Sequence, residues 1–244
     1  MAVSGNTIKK DIDVVNLCVS VLSRLSKMGY EKNIAASNGQ LIFPTKSDLE
    51  RISEQELRQI FIEIFNENNQ DLYYSIETPT INKYSFGKND DSIKTNEEGR
   101  SALIDMCVFE KENDDSHYKR LLNIEFKHDN VAYKNFSKDI LKLIHEKENG
   151  AFIILLNNTN SGTLINSGKK RKGVIDKLIK SFDDHKLNET YWNGGKDKFI
   201  ELVILSLEDK DNINKKPFIR YRSVFKKDLD TIKADIKDWL KLED

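Results

Sequence analysis

The stretches SALIDMCVFE, residues 101–110, and RLLNIEFKH, residues 120–128, decide how this chain folds. The first is largely apolar, the second alternates apolar with polar or charged residues from Asn123 onward, and the charged segment KENDDSHYK separates them. The pattern predicts two strands that form an antiparallel hairpin with a long loop. Asp105 lies in the middle of the first strand. A buried carboxylate without a partner is costly, so we expect a compensating group beside it.

The second strand of this hairpin carries Glu125 and Lys127. Because side chains alternate along a strand, these two project from one face, and Ile124 and Phe126 from the other. If Asp105 pairs near the first face, two carboxylates and one amine converge. The carboxylates would repel each other unless a cation lay between them. Mg²⁺ suits this position because it takes oxygen ligands, keeps several waters and can activate one against a phosphodiester.

The elements around the hairpin predict a mixed α/β arrangement. Ser47 and Ser53 each precede a glutamate by three residues, so either could begin a helix with a capping box. This helix is followed by a strand at 72–78 that ends at Pro79, and by a mobile loop at 82–100. A helix at 135–148 and an apolar strand at 151–157 follow the hairpin. The order between residues 47 and 157 is therefore helix, strand, strand, strand, helix, strand, with a right-handed crossover through the last helix.

The two ends of the chain add further elements. The predicted elements are a helix at 7–29, a loop at 30–46, a helix at 173–183, strands at 199–207 and 217–224, and a final helix at 226–242. We therefore predict an N-terminal helical extension at 1–46, a core at 47–160 and C-terminal strands and helices at 161–244 that pack on the core.

Composition narrows the class of protein. The 244 residues are 38% hydrophobic and 32% charged, which is typical of a globular chain. The formal net charge of -1 counts against a broadly basic nucleic-acid binder, so any such contact must come from a local patch. Without a signal peptide or an apolar run of membrane length, we expect a cytoplasmic protein with Cys18 and Cys107 as reduced core thiols.

The combination of Asp105 with Glu125-Phe126-Lys127 on consecutive strands resembles the PD-(D/E)XK nuclease superfamily. The resemblance extends over about residues 47–157, although Ile104 stands where the motif has proline. It implies a restriction-endonuclease-like αβββαβ core with a mixed sheet. The N-terminal helical and C-terminal α/β extensions would lie outside that core.

The resemblance also implies roles for individual residues. Asp105, Glu125 and the carbonyl of Phe126 would bind Mg²⁺, for which Mn²⁺ would substitute, and Lys127 would be catalytic. We expect Lys127 to position water or stabilise the transition state, and a buried lysine near a metal can have its proton affinity lowered, which would help in either role.

Family members often add an acidic residue from the first helix. Helical periodicity places Glu54 within the apolar stripe that faces the sheet, and Glu56 near the edge of that stripe. Glu56 is also the capping partner of Ser53. We therefore favour Glu54, with Glu63 as a weaker third candidate.

The resulting functional expectation is a Mg²⁺-dependent DNA endonuclease in restriction or anti-phage defence. Lys169, Lys170, Arg171 and Lys172 form a basic loop that either grips phosphates or is simply solvated. A homodimer that uses the apolar face of the N-terminal helix, or a defence-system partner, is compatible with this function. The alternatives are a catalytically inactive nuclease-fold module that binds nucleic acid or protein, and an enzyme whose Asp and Glu serve acid–base chemistry.

Overall fold

The computed structural model describes residues 12–27, 45–46, 49–50, 52–87, 93–112, 117–166, 168, 171–185 and 192–243. The helices are α1 (Val14–Lys27), α2 (Glu54–Asn68), α3 (Tyr133–His145), α4 (Ser161–Leu164) and α5 (Val174–His185). The strands are β1 (Thr45–Lys46), β2 (Leu49–Glu50), β3 (Leu72–Phe86), β4 (Ile93–Thr95), β5 (Arg100–Lys111), β6 (Tyr118–His128), β7 (Asn149–Leu156), β8 (Phe199–Ser206), β9 (Phe218–Phe225) and β10 (Leu240–Glu243). None of these helices is both long and apolar enough to cross a membrane.

Eight of the strands form one mixed sheet in the order β10-β9-β8-β7-β6-β5-β3-β4. Strands β3, β5 and β6 are antiparallel neighbours, whereas β6, β7 and β8 run parallel. β9 and β10 continue the sheet as antiparallel strands. The C-terminal strands therefore extend the same sheet that contains the predicted hairpin, and the predicted mixed α/β class is confirmed.

Helices cover both faces of this sheet. α1 and α2 pack on one face, against Ile124, Phe126 and Ile153 among others. α3 and α5 pack on the other face, against Phe152 and Ile154. Strand β7 is covered on both sides, which explains why AFIILLN reads as a continuous apolar run rather than an alternating one.

The start of α2 follows the prediction from sequence. The hydroxyl of Ser53 accepts a hydrogen bond from a backbone N–H of the first turn, and the Glu56 carboxylate accepts one from the Ser53 N–H, which forms a capping box. The alternative start at Ser47 lies outside the described residues. The cap directs α2 across β6, where Phe61 contacts Phe126 edge-to-face.

Strand β3 does not end at Pro79, and the loop predicted at 82–100 is wrong in part. The strand continues to Phe86 through a register shift between Pro79 and Lys83, and β4 pairs with its end. Thr80 explains the continuation. Its hydroxyl accepts a hydrogen bond from Ala102 N and donates one to Asn82 O, so a side chain replaces the interrupted ladder.

The helix predicted at 226–242 is also wrong. The chain instead makes 3₁₀ turns at Lys226–Asp228 and Ile236–Asp238 and then adds β10 to the sheet edge. Asp228 caps the first turn by accepting a hydrogen bond from Phe225 N. Local capping and pairing with β9 outweigh the helical propensity of this segment.

The apolar face of α1 is buried within the chain. Leu17, Val21 and Leu25 belong to the core that α1 shares with α2, β8 and β9. The predicted helix at 7–29 is observed from Val14 to Lys27, and residues 7–11, 28 and 29 lie outside the described part. This apolar face is therefore not free for the dimer contact that the sequence suggested.

A buried carboxylate joins the irregular part of β3 to the end of α3. Glu146 is fully buried and accepts hydrogen bonds from Ile81 N, Asn82 N and the Asn82 side-chain amide. The guanidinium of Arg120 lies 3.3 Å from the same carboxylate. These contacts hold the irregular part of β3 against the end of α3.

We predict that Glu146→Gln lowers the free energy of unfolding by about 2 kcal/mol, because an amide cannot replace the charge that these donors share. Urea unfolding measures the change. The exposed Glu98→Gln is the matched control and is expected to change stability by less than ~0.5 kcal/mol. Equal stability of the two variants would contradict the structural role of Glu146.

Candidate active site

Asp105 lies where β5 and β6 part. The regular pairing of the hairpin ends at Met106 and Ile124, and one further step in the same register brings Asp105 opposite Glu125. At this point the carboxylate of Asp105 accepts a hydrogen bond of 2.8 Å from Phe126 N. The Asp105 side chain thus takes the place of a backbone carbonyl, which would accept this hydrogen bond in a regular pair of strands. The Phe126 N–H is the compensating partner that a carboxylate in an apolar strand needs.

Glu125 projects toward α3 and is almost fully buried, with 1% of its surface exposed. The Lys142 ammonium lies 2.6 Å from its Oε1, but within the described part of the chain neither carboxylate oxygen makes a hydrogen bond of ordinary geometry. Burial raises the pKa of Glu125, and Lys142 only partly opposes that shift. Glu125 is therefore a buried carboxylate whose negative charge is only partly compensated by neighbouring groups.

Lys127 lies on the same side of β6 and contacts both helical layers. Its Nζ is 2.9 Å from Asp139 Oδ2 on α3 and 3.5 Å from Glu54 Oε2 on α2. It also donates a 2.8 Å hydrogen bond to the Phe126 carbonyl. Burial opposes the charge on Lys127, but Asp139 and Glu54 outweigh it and raise its pKa above 10.5. These contacts therefore favour the charged form of Lys127, and a lowering of its proton affinity beside a bound metal stays a prediction.

Among the three glutamates considered on the first helix, the structure brings Glu54 to the cluster. It is the first residue of α2, and burial raises its pKa, with Lys127 acting in the opposite direction and Asp105 adding to the rise. Glu56 is bound to Ser53 in the capping box. Glu63 lies 3.6 Å from Arg24, away from the hairpin residues.

Two buried residues of α3 belong to the site although sequence reasoning missed them. Asp139 and Lys142 are three residues apart, and Lys142 Nζ lies 2.8 Å from Asp139 Oδ1. Lys142 also donates a 2.8 Å hydrogen bond to Leu103 O. The available signal was the run DILKLI, in which charged residues three apart interrupt an apolar segment.

Together these side chains form what we call the acidic cluster, which is defined by the carboxylates of Glu54, Asp105, Glu125 and Asp139 and the ammonium groups of Lys127 and Lys142. Four carboxylates face two ammonium groups, so full ionisation leaves two negative charges unbalanced. A divalent cation would neutralise that excess.

The donors of this cluster fit Mg²⁺ in chemistry, since carboxylate and carbonyl oxygens are the ligands it prefers. The expected ligands are Asp105, Glu125 and the Phe126 carbonyl, which here accepts a hydrogen bond from Lys127. Within the described ranges, no three Asp, Glu, His or Cys side chains are grouped so that they could hold a metal ion. Mg²⁺ would thus rely on two carboxylates, the Phe126 carbonyl and water or substrate oxygens.

The basic loop is described only in part. Lys169 and Lys170 lie outside the described residues, whereas Arg171 and Lys172 are exposed. The Lys172 carbonyl accepts a 3.3 Å hydrogen bond from the side chain of Asn130, two residues after β6. Arg171 and Lys172 therefore lie at the end of the strand that carries Lys127.

Comparison with known proteins gives no relative for this chain. No protein-family model matches it, and no curated protein or solved structure matches it significantly.

We predict that Asp139→Asn lowers the free energy of unfolding by about 3 kcal/mol, because two buried ammonium groups lose a shared counter-charge. Burial alone would raise the pKa of Asp139, but Lys142 and Lys127 hold it below 3.8. The folded state then binds fewer protons than the unfolded state just below pH 3.8. The difference in free energy of unfolding between parent and variant is therefore largest above that pH and becomes smaller as the pH falls.

Chemical denaturation at pH 7 and near pH 3 measures both effects, with the exposed Asp197→Asn as the matched control. A stability difference that stayed constant down to pH 3, or that was absent at pH 7, would contradict the assigned pairing of Asp139.

Proposed function

We propose that this chain is a Mg²⁺-dependent nuclease of the PD-(D/E)XK type, which hydrolyses phosphodiester bonds and acts on DNA in restriction or anti-phage defence. The observation that carries the proposal is the convergence of Asp105, Glu125 and Lys127 at the point where two antiparallel strands part. They are the residues that the sequence predicts for the site, and they lie within one charged cluster together with Glu54.

The topology supports a restriction-endonuclease-like core. Helix α2, strands β3, β5 and β6, helix α3 and strand β7 follow one another in the predicted order, with only the short β4 inserted. In space, β3, β5, β6 and β7 are consecutive neighbours in the sheet, and α2 and α3 lie on opposite faces. The E-x-K strand is thus central, with a helix available on each side.

Each residue of the cluster has a role in the proposed reaction. Mg²⁺ held by Asp105, Glu125 and the Phe126 carbonyl would activate a water and stabilise charge on the scissile phosphate. Burial disfavours the charge on Lys127, but Asp139 and Glu54 raise its pKa, so Lys127 would act as a positive charge and hydrogen-bond donor toward phosphate oxygens. Asp139 orients that ammonium from α3.

A second candidate function is a catalytically inactive module that keeps the fold for binding nucleic acid or a protein partner. The specific observation in its favour is that Glu125 and Asp139 both have lysine partners within the chain. A module of that kind would bind its partner without cleaving it, so the two functions differ in one measurable property.

We predict that the chain nicks or linearises plasmid DNA with Mg²⁺ or Mn²⁺ and that EDTA abolishes this activity. Asp105→Asn and Lys127→Ala should each lower the rate by about 100-fold or more, because each removes a metal ligand or a transition-state charge. The exposed Asp230→Asn and Lys233→Ala are matched controls. Cleavage that survives both site changes would refute the site, and binding without cleavage would favour the second candidate.

We also predict that the double change Arg171→Ala and Lys172→Ala lowers the affinity for double-stranded DNA. The loss should be similar for every DNA sequence. Each lost phosphate contact should reduce the slope of log affinity against log salt by about 1. Fluorescence anisotropy on an Asp105→Asn background measures binding without turnover. The exposed pair Lys226 and Lys227, changed together to alanine, provides the control, and an equal effect of both pairs would reject a specific role for the loop.

A further inference from the structure

The ammonium group of Lys142 is surrounded by oxygen atoms in the way that a bound metal ion often is. Its side chain is 4% exposed, and its Nζ is surrounded by Glu125 Oε1 at 2.6 Å, Asp139 Oδ1 at 2.8 Å and the Leu103 carbonyl at 2.8 Å. Two carboxylates and one carbonyl are also a typical oxygen set for a hard cation. The ammonium of Lys142 therefore neutralises a site that would otherwise hold an intense negative charge.

Glu125 is shared between this ammonium and the proposed metal. Its Oε1 faces Lys142, whereas its Oε2 is buried and has no hydrogen-bond partner among the described residues. Two cations that use one buried carboxylate repel each other strongly, because the surrounding protein screens charge far less than water does. Helix α3 carries Lys142, so this repulsion acts between α3 and any ion bound beside β6.

We infer that Lys142 is an internal cation that competes with the divalent ion for Glu125 and so sets the affinity of the acidic cluster for metal. This inference rests on the proposed metal role of Glu125. The opposite possibility is that Lys142 supports Glu125 as a ligand by orienting it, as groups around metal ligands often do. The two roles predict opposite effects of removing the charge, since loss of a competitor tightens metal binding and loss of a support weakens it.

The decisive measurement is Mn²⁺ affinity at pH 8, from the paramagnetic resonance signal of free Mn²⁺. Lys142→Gln should bind Mn²⁺ about tenfold more tightly than the parent, as removal of one nearby charge implies. Lys142→Arg keeps the charge and should bind no more tightly than the parent. Lys138→Gln removes an exposed charge one turn earlier on α3, where water screens it, and should stay within about twofold. Unchanged or weaker binding by Lys142→Gln overturns the inference.

A second measurement is made on the parent chain, with Lys142→Arg used only for assignment, and follows the ammonium signals of lysine in nitrogen-15 spectra. The Lys142 signal, assigned by its loss in Lys142→Arg, should shift as Mg²⁺ is added. Lys198 provides an internal control, because its buried Nζ donates to the backbone carbonyls of Ile144, Glu146 and Asn193. Burial lowers the pKa of Lys198 to about 7, so the spectra are recorded at about pH 6, where this amine is protonated. A Lys142 signal that stays fixed while Mg²⁺ saturates the chain overturns the inference.

The results separate this inference from the proposed function. Tighter Mn²⁺ binding by Lys142→Gln without any DNA cleavage supports the competition and rejects the nuclease. Metal-dependent cleavage with equal Mn²⁺ affinity in parent and Lys142→Gln supports the nuclease and rejects the competition. Absence of Mn²⁺ binding by both chains rejects both proposals.

Discussion

The structure depends on one chain of alternating charges that is buried between the sheet and α3. Glu125 on β6 contacts Lys142, Lys142 contacts Asp139, and Asp139 contacts Lys127, again on β6. Glu125, Asp139 and Lys142 are buried and Lys127 is partly buried, so their desolvation is tolerable only because an opposite charge lies within hydrogen-bonding distance of each. The helix and the strand are thereby held in one register, since a shift of either would leave several charges buried without partners.

Such an arrangement is a poor way to obtain stability alone, because well-packed apolar residues of similar volume often stabilise a core as well or better. Buried titratable groups with strongly shifted pKa values are instead common at functional sites. Here the charge balance adds a second argument. The cluster has more carboxylates than ammonium groups, and its least compensated member, Glu125, is also the most deeply buried glutamate of the hairpin. Both properties are expected of a site that is completed by a cation.

The sequence predicted those parts of the fold that depend on local patterns. Alternating and continuous apolar runs located the strands of the hairpin and β7, and Ser53 located the start of α2. It failed where a distant contact decides the outcome. The continuation of β3 beyond Pro79 depends on hydrogen bonds between Thr80 and β5, and the C-terminal strand exists because β9 offers an edge to pair with.

The same limit applies to the site. Asp105, Glu125 and Lys127 were recognisable because an isolated carboxylate and an E-x-K triplet stand out in apolar strands. Asp139 and Lys142 were not, since charged residues on a helix are usually solvated. Only the packing of α3 on the sheet shows that these two face inward.

The near-neutral charge of the whole chain, which seemed to argue against a nucleic-acid substrate, has a different meaning once the charges are located. A phosphodiester that approached the metal-free cluster would meet an excess of carboxylates and be repelled. A bound divalent ion would remove that excess, so in the proposed enzyme the metal would serve substrate binding as well as chemistry. Exposed Arg171 and Lys172, at the end of β6, would then attract the phosphate backbone toward a site that becomes receptive only when metal is present. The overall net charge does not report this local distribution.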